Sequence, residues 1–143
     1  MKIKHFAVLA VVLFAGKLYG DTIAFTEIGQ AINDNDLNVV KKLINSGKAS
    51  VDESAYQNSR EPLLNFAIQN YIAFVGHSAN KTGHIMEAFE AFKTLDIIDF
   101  LLEKGAPLNE KSQSSGKTAL GIAQEAPSEL KETIAILISK GAQ

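Results

Sequence analysis

Apolar residues recur along this chain with a helical period, and the pattern closes in the same way three times. Leu43-Ile44-Asn45-Ser46-Gly47, Leu101-Leu102-Glu103-Lys104-Gly105 and Leu137-Ile138-Ser139-Lys140-Gly141 each run apolar, apolar, polar, polar, glycine. That order is how an amphipathic helix ends. The apolar pair faces a core, and the glycine takes the left-handed conformation that caps the last carbonyls. A second block recurs upstream of each: Thr26-Glu27-Ile28-Gly29-Gln30-Ala31, Pro62-Leu63-Leu64-Asn65-Phe66-Ala67 and Thr118-Ala119-Leu120-Gly121-Ile122-Ala123. Its aliphatic residue and its alanine stand three apart, on one helix face, and the alanine admits a close neighbouring helix.

From this alanine to the closing glycine the chain runs 16, 38 and 18 residues, so the middle unit carries about twenty extra. Polar, turn-forming stretches from Asp52 to Glu61 and from Pro107 to Lys117 separate the units. Each unit therefore reads as helix, turn, second helix and protruding loop, giving an all-α chain with repeats at about 21–56, 57–112 and 113–143. In the middle unit Pro62 opens an inner helix whose apolar positions are Leu63, Leu64, Ala67, Ile68, Tyr71, Ile72 and Val75, and Gly76 is expected to end it. A polar turn over 78–83 leads to an outer helix from about His84 to Lys104. Its expected apolar stripe is Ile85, Ala88, Phe89, Phe92, Leu95, Ile98, Leu101 and Leu102. The insertion thus lengthens both helices of an antiparallel pair, with Phe74, Val75, Met86 and Phe89 near the tip. The last outer helix is expected to start near Pro127-Ser128-Glu129 and to face inward with Leu130, Ile134, Leu137 and Ile138.

These blocks resemble the ankyrin repeat, whose marks are a Thr-Pro-Leu-His-x-Ala block and a Leu-Leu…Gly-Ala close over ~33 residues. The nearest local match is Gly116-Lys117-Thr118-Ala119-Leu120, preceded by Gly105-Ala106-Pro107-Leu108-Asn109. The resemblance spans about Asp21 to Gln143 and implies a helical solenoid of about three helix–turn–helix repeats, the middle one elongated. It departs from the family pattern in three places. Gly29, Asn65 and Gly121 replace the histidine, which implies looser turns; one residue is added after Gly47; and the middle unit is enlarged.

Ahead of the repeats, Lys2, Lys4 and His5 precede an apolar run from Phe6 to Ala15, broken by Gly16. This reads as a secretory leader over residues 1–20, with a cut after Gly20 or, as a fallback, Ala24. As a helix the ten apolar residues rise only ~15 Å, half of a ~30 Å bilayer core, so no permanent membrane span is expected. The repeat spacing, counted back from Ala31, also starts the first unit near Asp21. The expected location is outside the cytoplasm, periplasmic or secreted, in a bacterium. Three lysines and no acids precede Asp21, so the remainder sets eleven Lys and Arg against sixteen Asp and Glu, a net −5. That balance lacks the basic face nucleic acid demands. The absence of cysteine excludes disulfides, thiolate metal sites and a cysteine nucleophile.

Catalytic patterns are tempting and incomplete. Gly116-Lys117-Thr118 resembles the end of a phosphate loop, but Lys111 stands where a further glycine is required. His77 and His84 bracket the long turn, with Ser78, Glu87 and Asp96 near in sequence, short of a converging ligand set or a relay. Asn80-Lys81-Thr82 matches a glycosylation acceptor. No enzyme, cofactor or metal is therefore expected, and what remains is surface. Ankyrin proteins generally read partners with loop tips and the ends of inner helices. Carried onto this chain, those positions are Tyr56, Asn58, Ser59 and Glu61 in the first loop, and Gln113, Ser114, Ser115 and Lys117 in the second. Asn33, Asp34, Gln69, Asn70 and Glu125 supply the inner-helix ends. Tyr56, a large amphipathic ring, is the expected anchor. The expected function is non-enzymatic binding of a protein by a monomer, as an inhibitor of an exported enzyme or as a secreted effector. The alternatives are a small-ligand or metal-binding carrier or enzyme that uses the enlarged middle unit with His77 and His84, and an architectural role through the edge of the last unit.

Overall fold

The computed structural model describes residues 24–78 and 85–143. The leader over 1–20, His84 and Asn80 lie outside the described residues, as do the side chains of His77 and Met86. The chain is all-α. Among the described residues it forms α1 (Glu27–Asn33), α2 (Leu37–Asn45), α3 (Leu63–Ser78), α4 (Ile85–Glu103), α5 (Ala119–Ala123) and α6 (Lys131–Ser139). Successive helices pack as pairs, α1 with α2, α3 with α4 and α5 with α6. Within the stack α3 lies between α1 and α5, while α2 lies against α4. Phe100 of α4 is buried at that outer contact, its ring capped by the ammonium groups of Lys41, 5.8 Å away, and Lys104, 5.6 Å away.

Local chemistry sets the helix ends. Thr26 and Thr118 occupy equivalent caps, each accepting a hydrogen bond at its hydroxyl from the N–H three residues on, Gly29 and Gly121. Pro62 takes the same place before α3, where its missing N–H costs nothing. At the other end of the pairs Gly47, Gly105 and Gly141 all have positive φ, at 77°, 81° and 90°. The N–H groups of Ala106 and Ala142 then reach back to the carbonyls of Leu101 and Leu137. In the first pair Ala49 makes the matching bond to Leu43 with one residue more between them, so the extra residue after Gly47 bulges outward as exposed Lys48.

Burial follows the repeating seam. Ile28, Leu64 and Leu120 are buried, as are Ala31, Ala67 and Ala123 and the pair Leu101 and Leu102. Every residue from Glu61 to Ile68 is buried, Phe66 included, because α3 has α1 and α5 at its sides, α4 behind and loops in front. Three expectations fail. Gly76 does not end the inner helix, which continues to Ser78, since glycine's cost of about 1 kcal/mol is readily outweighed by packing against α4. Phe89 and Phe92, at 61% and 66% exposure, leave the apolar stripe of α4 and face solvent, because the core turns with Ile97, Ile98 and Leu101. The last outer helix begins only at Lys131, after turns over 124–130, and Ile138 is 57% exposed, on a side that no other described helix covers.

At two of the three positions where the block histidine is replaced, other contacts tie the loop to the inner helix. At Asn65 the side-chain amide donates to the carbonyls of Glu110 and Lys117, at 3.0 and 3.3 Å, and to Ser112 Oγ at 3.1 Å. At Gly29 the backbone of the first loop closes directly onto the helix: a Cβ there would stand 2.0 Å from the Ala55 carbonyl oxygen. At Gly121 the nearest atom to such a Cβ is Lys117 Cβ, at 3.4 Å. Gly29→Ala is therefore expected to destabilise the fold by about 2 kcal/mol through forced loop displacement. Gly121→Ala should be neutral or stabilising by about 0.5 kcal/mol through helix propensity. Urea denaturation of both variants checks the contrast.

Candidate interaction surface

The two loops stand side by side in front of the inner helices. The first folds back on itself through Ala55 N–H to the Glu61 carbonyl, at 2.8 Å, and the second through Ser112 N–H to the Lys117 carbonyl, at 3.0 Å. They are stitched at a reciprocal pair: Gln113 N–H donates to the Arg60 carbonyl, and Arg60 N–H donates to Gln113 Oε1. Before α1 the chain adds a further rung, with Thr26 N–H on the Ala55 carbonyl and Gln57 N–H on the Ala24 carbonyl. Loop, loop and preceding segment thus form one continuous front edge.

Behind that edge lies a polar cluster. Glu61 is 1% exposed and accepts a hydrogen bond at Oε2 from the Ser114 hydroxyl, 3.1 Å away, while its Oε1 makes none. Gln69 reaches Ser112 Oγ at 3.4 Å, and the Asn65 amide reaches the same oxygen. Burial raises the pKa of Glu61, against the opposing influence of the nearby Ser112, Ser114 and Gln69 groups. Tyr56 closes an aromatic triangle, 5.1 Å from Phe25 and 5.4 Å from Phe66 between ring centroids. Its hydroxyl is pushed up to about 12, first by burial and then by the charge of Glu61.

The sequence-predicted recognition residues therefore separate into two groups. Glu61, Asn33 and Asn70 are buried, and Tyr56 is half-buried in the triangle, so these four are part of the interior rather than free surface. Gln69, Ser59, Gln113 and Ser114 are tied into the loops, the Ser59 carbonyl accepting from the Ser54 hydroxyl. Asp34, Asn58, Ser115, Lys117 and Glu125 remain exposed; Asp34 accepts from Gln30, and Lys117 pairs with Glu125. Sequence reading missed Asn65 and Ser112, which organise the second loop. A polar residue in place of glycine within the recurring inner-helix block was the available signal for Asn65.

Among the described residues no group of three His, Asp or Glu side chains is placed to hold a metal ion. No described helix is long and apolar enough to cross a membrane. A concavity of about 320 Å³ lies between α4 and α6, lined by Leu95, Asp99, Glu129, Lys131, Glu132 and Ile136. No family model, curated protein or solved structure matches this chain.

The buried carboxyl at Glu61 gives stability a pH dependence of definite sign. Its native pKa is raised, so the folded state holds the proton more tightly than the unfolded chain. Stability is then full below the ordinary glutamate range and declines as pH rises through the elevated native value. Glu61→Gln, which keeps the shape and drops the charge, is expected to flatten that decline. Urea midpoints of the two proteins from mildly acidic to neutral pH measure it.

Proposed function

We propose that this chain is an ankyrin-type repeat protein, exported to the periplasm or secreted, that binds a protein partner as a monomer without catalysing a reaction. The observation that carries the reading is the recurrence of one hydrogen-bonded plan in successive helix pairs. Threonine caps recur at Thr26 and Thr118, and positive-φ glycines close all three pairs. Hairpin loops joined edge to edge complete the plan. Such stacking of small units yields an extended face whose outermost residues are free of structural duty.

On this face the recognition positions are the exposed Asp34, Asn58, Ser115, Lys117 and Glu125. Buried Glu61 and the ringed Tyr56 act behind them, holding the loops in a fixed shape so that little ordering cost falls on binding. Inhibition of an exported enzyme and action on a host protein are both compatible with that surface.

Partner capture by the purified chain from its own compartment should be lost when Asn58 and Ser115 are both replaced by arginine, with the melting temperature unchanged. A partner that binds this double variant as well as the parent chain would remove the loop edge from the interface.

A further inference from the structure

Among the described residues, nothing covers the stripe of α4 that turns from the core over three helical turns. Phe89, Phe92, Asp96 and Asp99 follow one another at spacings of three and four, so they share a face, and all four are exposed. The face is bare because neighbouring pairs are shorter. α4 has 19 residues and α6 only 9, and Ser128 and Glu129 of the turn before α6 share one concavity with Leu95 and Asp99 of α4. There Leu95 and Asp99 look across the concavity to Glu129, Lys131, Glu132 and Ile136. From α3 the Tyr71 hydroxyl donates to the Glu129 carbonyl at 3.5 Å.

The charge on this surface is one-sided. Asp96, Asp99, Glu129 and Glu132 have no ion-pair partner among the described residues, whereas Lys93, on the same helix, is held by Glu90 at 3.1 Å. Within the groove's rim Lys131 faces three carboxylates, Asp99, Glu129 and Glu132, and Asp96 follows one turn along the exposed face of α4. Partial burial raises the pKa of Asp99, and the charges of Asp96 and Glu132 add to it, as expected of crowded carboxylates. Two exposed phenylalanines above an acidic, partly apolar trough form a surface with a definite complement. The complement is not an anionic membrane, nor a second copy of the same acidic face, because like charges would meet.

We propose that the α4–α6 face is a docking groove for a cationic amphipathic helix of a partner protein. Apolar residues of that helix at i, i+3 and i+4 would cover Phe89, Phe92 and Leu95, and its Lys or Arg side chains would meet Asp96, Asp99, Glu129 and Glu132. The stretch from Phe89 to Asp99 is about 15 Å long, which matches roughly three turns of a bound helix. This surface lies on the outer helices, away from the loop edge, so it is a separate site from the one proposed above.

The chain contains no tryptophan, so a peptide carrying one reports its own burial. The probe is a synthetic leucine–lysine peptide of helical period with a single tryptophan, titrated against the full chain. Saturable blue-shifted fluorescence is expected, weakened by added salt and by replacing the peptide's lysines with glutamate. Phe89→Ser with Phe92→Ser, and separately Asp99→Lys with Glu132→Lys, should each weaken binding about tenfold or more. Circular dichroism melts should be unchanged, since all four side chains are exposed. Asn58→Arg, on the loop edge, should leave binding intact. The proposal is overturned if no saturable binding occurs or if neither double variant weakens it. Equal binding of the glutamate peptide, or loss of binding in Asn58→Arg, overturns it as well. Sedimentation showing a dimer that the phenylalanine variant abolishes would assign the face to a second copy instead.

Discussion

Helix α3 has to be covered on every side, and most of the molecule follows from that requirement. Its apolar residues Leu63, Leu64, Phe66, Ala67 and Ile68 point in all directions around the axis and are all buried. A helix of this kind is stable only inside a stack. The pairs before and after it supply the sides, α4 supplies the back, and the loops must supply the front. Loops bring unpaired backbone carbonyls with them, and a buried carbonyl needs a donor. Asn65 is the donor for Glu110 and Lys117, so one polar residue on an otherwise apolar helix lets the second loop close over the core. Gly29 solves the same problem in the first pair by removing the side chain altogether.

The same requirement explains why the front edge is rigid and polar at once. Glu61 sits behind it with an unpaired oxygen, and Asn65 Oδ1 is likewise unpaired, so the cluster is incompletely satisfied. Its acidity is accordingly set by burial more than by its hydrogen bonds. A glutamate in such a place couples loop closure to proton binding. That coupling comes from packing geometry and is independent of what the surface recognises.

Length mismatch governs the other side of the molecule. α4 outruns its neighbours, and among the described residues one of its flanks is occupied at the overhang. Asn35, in the left-handed turn between α1 and α2 with φ of 58°, donates to the Glu90 carbonyl and carboxylate and accepts from the Thr94 hydroxyl. That ties one flank of α4 to the first pair. Toward α6 nothing equivalent exists among the described residues, and the trough and the two bare phenylalanines result.

The sequence alone determined the helices, their order, the elongated central pair and the buried seam through Leu64, Leu120 and the 101–102 leucines. These depend on local period and on glycine or threonine at helix ends, and both act over a few residues. It also placed the front loops at the surface; there Asn58 and Ser115 are exposed, whereas Tyr56 is half-buried and Glu61 buried. A tyrosine or a glutamate in a polar loop looks solvated until a second loop is laid across it. Tertiary structure alone decided that burial, the partners of Asn65 and the exposure of Phe89 and Phe92. An apolar residue at helical spacing is buried only where another element is long enough to reach it, and that length belongs to the neighbour.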